Sequence, residues 1–244
     1  MPEGTITFFD LASKTPGTAW SLNPWKTRLL LNFKGLDYKT EWLEYPEIKP
    51  KLEGHVSPNT EGYWEYTIPA VILEDGTWCQ DSRKIVDLIE KAHPEPSVHL
   101  DSPYQAKIEA LMGQVLKPMV PIIFTQVPKH ILTEKSIPYW NENRTKLLGA
   151  PLDQVEREGC GASAYDGAAP ALKEVTALLK ENADGPFFSG KTPVYADFVW
   201  IGFLVFIKRI REDIYEEVVK RTEDRAVHDK LVEAASPWLA RNDH

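Results

Sequence analysis

The chain opens on alternation: Thr5-Ile6-Thr7-Phe8-Phe9 reads as a strand. The period then lengthens. Trp25, Leu29, Leu30 and Phe33 share one face of a predicted helix. Asn23 is its expected N-cap, Pro24 its first helical residue and Gly35 its stop. A second strand is predicted from Tyr38 to Leu43, followed by an irregular, Pro-containing stretch to Trp64. Ile68 to Leu73 is a short apolar run entered through an Ile-Pro step, Asp75-Gly76 is a hairpin turn, and another strand is expected near Trp78. Ile85, Val86, Leu88 and Ile89 then mark a helix from about Ser82 to Lys91. The order strand, helix, strand, loop, strand, strand, helix describes a small α/β unit.

His93-Pro94-Glu95-Pro96-Ser97 interrupts the pattern as a linker, and no convincing strand follows it. Gln105 to Leu116 is helical, and Pro118, Pro121 and Pro128 are expected to kink or end that helix. Leu172, Val175, Leu178 and Leu179 mark another amphipathic helix. Ala196 to Arg211 is apolar nearly all round, which places it at the centre of a bundle. Charged helices finish the chain, and there is no internal repeat.

Composition narrows the function classes. The 244 residues suffice for one large or two small domains, and 43% hydrophobic with 26% charged content is ordinary for a soluble globular protein. A net charge of −8 argues against nucleic acid as a partner, because phosphate binding needs a basic face. It argues in the same direction for anionic membrane surfaces. The longest apolar run, Ile201 to Ile207, is too short to span a bilayer, and the start carries no signal-peptide pattern. Cys79 and Cys160 form no disulfide framework, so a reducing, cytoplasmic compartment is expected. The six histidines show no ligand spacing with each other or with the cysteines, and no metal is expected. Asn143-Arg144-Thr145 matches a glycosylation acceptor but reads as a chance match.

The densest chemistry lies between Thr67 and Ser82. X-Pro bonds tolerate the cis form, with a trans preference of only about 0.5–1 kcal/mol. A cis turn at Ile68-Pro69 would expose backbone groups to an extended ligand, which could pair as an added strand. Ser82 at a helix start would offer a hydroxyl and free N–H groups to a negatively charged, peptide-like ligand. Taken singly, each device has a plainer reading, as a strand entry and as an ordinary helix cap. Their occurrence together, in this order, favours a binding site.

An α/β half, a Pro-bearing linker and an all-helical half carrying these motifs resemble the glutathione S-transferase superfamily. The resemblance implies a thioredoxin-like glutathione-binding domain over residues 1–92, a linker over 93–103 and an all-α domain over 104–244 that contributes a hydrophobic substrate site. It also implies a homodimer. In that family the residue before the cis proline, here Ile68, pairs with the cysteine of glutathione. The acid-serine pair, here Asp81-Ser82, binds the γ-glutamyl group.

The first helix resembles the bacterial β-etherase branch and, more closely, the fungal-specific class A transferases. The residues concerned are Ser21-Leu22-Asn23-Pro24-Trp25-Lys26-Thr27-Arg28 and Lys34-Gly35-Leu36-Asp37. The etherase branch opens this helix with Ser-Pro-Tyr-x-Trp-Arg-Thr, its serine facing the sulfur. Counting back from Trp25 puts Ser21 there; counting from Pro24 would put Asn23 there, since Leu22 stands where the branch has its proline. Ser21 is preferred as thiolate donor, with Asn23 second. No cysteine lies at this position, which disfavours disulfide reduction. Val194 occupies the hydroxyl position of the family's capping box before the central helix, so Thr192 or Pro193 is expected to set that helix start, with Asp197 structural.

His55 is chosen over Lys49 and Lys51 for the glycine carboxylate of glutathione. Trp20, Trp25, Met119 and Phe124, with Pro121, Ile122 and Thr125, are expected to wall the second-substrate pocket, and Pro118 and Pro121 to open it. The residues themselves indicate an apolar, aromatic ligand; the resemblance adds aryl ethers, esters and phenolics. The expected activity is glutathione transfer to hydrophobic aromatic compounds, with ether- or ester-cleaving thiolysis as a variant. The alternative is a ligandin, a carrier of aromatic small molecules with little catalysis.

Overall fold

A computed structural model describes residues 4–243. Its first half is a four-stranded sheet in the order β2-β1-β3-β4, built from β1 (Ile6–Leu11), β2 (Tyr38–Leu43), β3 (Ala70–Ile72) and β4 (Trp78–Gln80). β1 runs parallel to β2 and antiparallel to β3, which pairs antiparallel with β4. The parallel pair needs a crossover, supplied by α1 (Leu22–Phe33). The short α2 (Ile48–Leu52) follows β2, and α3 (Ser82–Ala92) closes the half. Gly76, at φ +85°, supplies the left-handed residue that the Asp75-Gly76 turn between β3 and β4 requires.

β1 carries a buried ion pair. Arg28 of α1 donates to Asp10 at 2.8 Å, both side chains being fully buried, and reaches Thr40 at 3.1 Å on β2. Two strands and the crossover helix are thereby joined through one guanidinium.

The second half is helical: α4 (Pro103–His130), α5 (Ser136–Leu148), α6 (Leu152–Gly159), α7 (Ala162–Lys180), α8 (Tyr195–Ile210), α9 (Glu212–Arg221), α10 (Arg225–Ala234) and α11 (Ser236–Leu239). α8 is buried along almost its whole length and packs on α4, α9 and, across the junction, α1. Its N-cap is Val194, not Thr192 or Pro193. With no hydroxyl available there, Asp197 accepts from the N–H groups of Val194 at 2.8 Å and Phe188 at 2.9 Å. Burial pushes the Asp197 carboxyl up to about 7 against those two donors.

Two further expectations change. α1 starts at Leu22 with Ser21 as its N-cap, so Pro24 is the third helical residue, still within the first turn. The missing N–H costs nothing there, because Trp25, donating to the Ser21 carbonyl at 3.0 Å, is the first residue whose N–H has an intrahelical partner. α4 runs unbroken for 28 residues through Pro118, Pro121 and Pro128. Proline at 128 cannot bond the Phe124 carbonyl, and Trp140 Nε1 donates to that oxygen instead at 2.8 Å. α4 is therefore long and apolar enough to cross a membrane, by length and composition only. Here its buried residues face α6, α7 and α8.

Candidate functional site

Two hollows adjoin at the Ile68-Pro69 step, and the smaller reaches across to the helical half. The larger, of about 530 Å³, lies between the start of α1, the loop around Asn59 to Trp64, the Ile68-Pro69 step and the start of α3. The smaller, of about 180 Å³, shares Asn23, Trp64, Thr67 and Ile68 as walls and adds Ser21, Tyr45, Tyr66, Tyr139 and Arg144.

The backbone around Ile68 is held from behind. Gln80, buried at the end of β4, accepts from Thr67 N–H at 2.8 Å and donates to the Ser57 and Glu65 carbonyls at 2.9 and 3.0 Å. One side chain so pins both ends of the loop. The Ile68-Pro69 bond is cis. Among the described residues, Ile68 itself forms no backbone hydrogen bond, leaving an N–H and a C=O at the groove wall without a protein partner.

Asp81 caps α3 at φ +80°, a region that side-chain-bearing residues rarely occupy. Its N–H donates to the Pro69 carbonyl at 3.2 Å and its carboxylate accepts from Arg83 N–H at 2.9 Å, which holds the unusual conformation from both sides. Ser82 follows as the first helical residue, and its carbonyl accepts from the Tyr195 hydroxyl of α8 at 3.2 Å. The helical half thus fixes the mouth of α3.

At the opposite wall, Ser21 caps α1 in an extended conformation and forms no side-chain cap bond. Asn23 is exposed and faces both hollows. Neither side chain has a hydrogen-bond partner among the described residues, so both keep a donor for a ligand. α1 is set close to α8 by Gly202: a Cβ there would stand 3.3 Å from the Leu22 carbonyl oxygen and 3.4 Å from Trp25 Cβ.

Lys26 lines the larger hollow, and the sequence reading missed it. Desolvation brings its ammonium down to about 8, with Glu109 and Asp81 pulling the other way. The available signal was its place one turn after Leu22, on the face that presents Asn23. Arg144 and Tyr139 of α5 were also missed, because only the packing of the two halves brings them to Ser21 and Ile68.

Several expected wall residues lie elsewhere. Trp20 is buried, with its indole N–H donating to the Leu11 carbonyl at 2.9 Å. Trp25 is buried between α1 and α8, and Met119 is fully buried in α4. Phe124 is nearer: its ring stands 5.6 Å from the Arg144 guanidinium, behind the smaller hollow. Pro118 and Pro121 line neither hollow. They press on two glycines, since a Cβ at Gly167 would meet Pro118 at 2.9 Å and one at Gly159 would meet Pro121 at 2.7 Å. His55 lies outside both hollows, stacked on Trp78 with ring centroids 4.2 Å apart. Lys49 pairs with Glu65 at 3.5 Å and Lys51 with Glu41 at 2.6 Å. Neither cysteine lines either hollow, and burial raises the thiol pKa of both Cys79 and Cys160.

Comparison with known proteins places this geometry in a family. Residues 20–92 match the glutathione S-transferase N-terminal domain, and residues 105–238 match the glutathione S-transferase C-terminal domain. A glutathione S-transferase-like protein, ustS, of Aspergillus flavus is 27% identical over 236 residues, spanning 89% of this chain and 85% of its own. Among solved structures, the transferase CsGST63524 of Ceriporiopsis subvermispora, in complex with glutathione, superposes with a TM-score of 0.84 at 26% identity, covering 96% of this chain and 98% of that one. GSTFuA3 of Phanerochaete chrysosporium superposes with a TM-score of 0.82 at 25% identity, covering 96% and 97%.

Proposed function

The chain belongs to the glutathione S-transferase family, and from that premise we propose a serine-type transferase that directs the thiolate of glutathione at hydrophobic aromatic electrophiles. The observation that carries this reading is the larger hollow itself, which gathers Asn23, Ile68, Pro69, Asp81 and Ser82 around one groove, with Ser21 in the adjoining hollow. In this reading Asp81 takes the ammonium of the γ-glutamyl group, and the Ser82 hydroxyl and the start of α3 take its carboxylate. Ile68 pairs its free N–H and C=O with the cysteinyl residue as an added strand would. A relative of similar sequence and shape has been solved in complex with glutathione, which supports the same ligand here.

The sulfur then lies at the start of α1. A free thiol has a pKa of about 8.5, so little of it is thiolate at neutral pH. The Ser21 hydroxyl, with Asn23 as second donor, and the positive end of α1 stabilise the anion. Each unit of lowering corresponds to about 1.4 kcal/mol and raises the reactive fraction severalfold. Tyr45, Trp64, Tyr66 and Tyr139 around the smaller hollow supply the apolar, aromatic wall against which the electrophile is held in line.

The experiment is a titration of bound glutathione, read by thiolate absorbance, in wild type, Ser21→Ala and Asn23→Ala. A thiol pKa that rises in Ser21→Ala, with a matching fall in turnover of aryl halides or esters, supports the assignment. An unchanged titration and turnover would overturn it, and a rise confined to Asn23→Ala would move the role to Asn23. A carrier of aromatic molecules would draw on the same four rings. Tight aromatic binding without glutathione-dependent turnover would favour that second reading.

A further inference from the structure

Arg144 is a buried cation with no counter-ion. The residue is 7% exposed, and it makes no ion pair and no hydrogen bond among the described residues. Four aromatic rings surround its Cζ, with centroids at 3.9 Å for Trp140, 4.7 Å for Trp64, 5.4 Å for Tyr45 and 5.6 Å for Phe124. Glu44, beside Tyr45 in sequence, is engaged by the hydroxyls of Thr133 and Ser136 and leaves the guanidinium alone.

A cage of rings is a sufficient structural role for many arginines, since a cation over an aromatic face gains about 0.5–2 kcal/mol. That interaction uses the faces of the guanidinium. Its five N–H donors lie in the plane, and the rings do not satisfy them. Nε is sealed from solvent without an acceptor. The terminal nitrogens are not among the sealed atoms, and the cavity Arg144 lines is the smaller hollow, which Ser21 and Asn23 also line. Burial lowers the guanidinium pKa from its ordinary value, the direction expected of a cation lacking an anion. A planar fork of donors held rigidly at the end of an aromatic slot matches a carboxylate in shape and charge.

We propose that Arg144 is the anchor for a carboxylate on the second substrate, so that the ligand class of the smaller hollow is aromatic acids of about one or two rings. The role in catalysis rests on the transferase reading above; the binding itself does not. The hollow, about 180 Å³, accepts a small aryl group beside the sulfur position while Arg144 fixes its acidic end. Specificity then follows from charge: a neutral amide of equal size offers one uncharged acceptor where the carboxylate offers two that share a negative charge.

The test compares 2-naphthoate with 2-naphthamide by calorimetry and by quenching of tryptophan fluorescence, since Trp64 and Trp140 both flank the guanidinium. Wild type is expected to bind the carboxylate at least tenfold more tightly than the amide. Arg144→Gln removes the preference and Arg144→Lys, which keeps a cation, retains part of it. The wild-type preference alone tests the proposal if Arg144→Gln fails to fold. Equal affinity for the two ligands in wild type overturns it, and so does a preference that survives in Arg144→Gln. A tenfold loss of glutathione affinity in Arg144→Gln, with naphthoate binding unchanged, also overturns it and assigns the guanidinium to the tripeptide's own carboxylate. S-Methylglutathione is titrated separately: its failure to bind would sink the transferase reading while leaving the naphthoate result intact.

Discussion

Trp200 Nε1 donates to Nδ1 of His228 at 3.0 Å, and this one contact fixes the protonation state of a fully buried imidazole. An indole nitrogen can only donate, so Nδ1 is the acceptor and Nε2 carries the hydrogen. Nε2 then donates to Thr176 Oγ1 at 2.9 Å, and that hydroxyl passes its own hydrogen to the Thr222 carbonyl at 3.0 Å. α7, α8 and α10 are tied together by a chain that only a neutral histidine completes.

Acid lability follows from that chain. Desolvation lowers the His228 pKa from 6.5 to about 4. The unfolded state therefore binds more protons than the folded state between those values, and stability falls as pH drops through that window. The loss attributable to this group is about 3 kcal/mol by pH 4. Asp197, pushed up to about 7, acts with the opposite sign over the same range, losing stabilisation as pH rises. Urea unfolding at pH 7, 5.5 and 4 in wild type and His228→Gln separates the two: the stability advantage of wild type over the variant should shrink as the pH falls. Parallel curves would contradict the assignment.

Gly202 is expected to tolerate alanine and reject valine. A single added Cβ meets the Leu22 oxygen at 3.3 Å and Trp25 Cβ at 3.4 Å, tight but not prohibitive. The crowding is offset by the gain of about 1 kcal/mol for replacing glycine within a helix. Valine adds two more carbons to the same gap and is expected to cost about 1–3 kcal/mol by overpacking. Because α1 carries Ser21 and Asn23 at its start, Gly202→Val should also weaken glutathione binding. Chemical denaturation and calorimetry on both variants check the pair of outcomes.

Trp140→Phe isolates a single hydrogen bond. The phenyl ring keeps an aromatic face near Arg144 but leaves the Phe124 carbonyl, which Pro128 has already deprived of its helical partner, without a donor. The carbonyl is part-buried, and leaving it without a donor is expected to cost about 1 kcal/mol. Pro128→Ala in the Trp140→Phe background restores an N–H to α4 and should recover part of that loss. A double variant no more stable than Trp140→Phe would show that the carbonyl is not the cause.

That carbonyl also explains where the sequence was legible. The Asp75-Gly76 turn and the helix start at Asp81-Ser82 are each written within a few residues, and they stand where the local pattern puts them. α4 was not legible, because the group that lets it pass Pro128 belongs to Trp140 on another helix. The same limit applies to the site. Ser21, Asn23, Ile68, Pro69, Asp81 and Ser82 come from short motifs and do meet around the two hollows. Arg144 and Tyr139 reach them only through the packing of the halves. Trp20 and Trp25 looked like wall residues because they flank a helix start, yet the Leu11 carbonyl and the α1–α8 interface claim them.

Asp81→Asn should separate the electrostatic part of ligand binding from the fold of the site. Asparagine accepts positive φ at least as readily as aspartate, and its side-chain oxygen can still accept from Arg83 N–H. The backbone bond from residue 81 to the Pro69 carbonyl is untouched. What disappears is the negative charge proposed to face the ammonium of the γ-glutamyl group. A charge-assisted hydrogen bond contributes about 1.5–3 kcal/mol, so glutathione affinity should fall roughly 10- to 100-fold with little change in thermal stability. Alanine at the same position would confound the result, because it loses the cap and strains the backbone as well. A second ligand completes the argument: glutathione lacking its α-amino group should bind wild type and Asp81→Asn equally. If Asp81→Asn binds intact glutathione as tightly as wild type, the ammonium is held by some other group and the orientation of the tripeptide in the groove must be reversed.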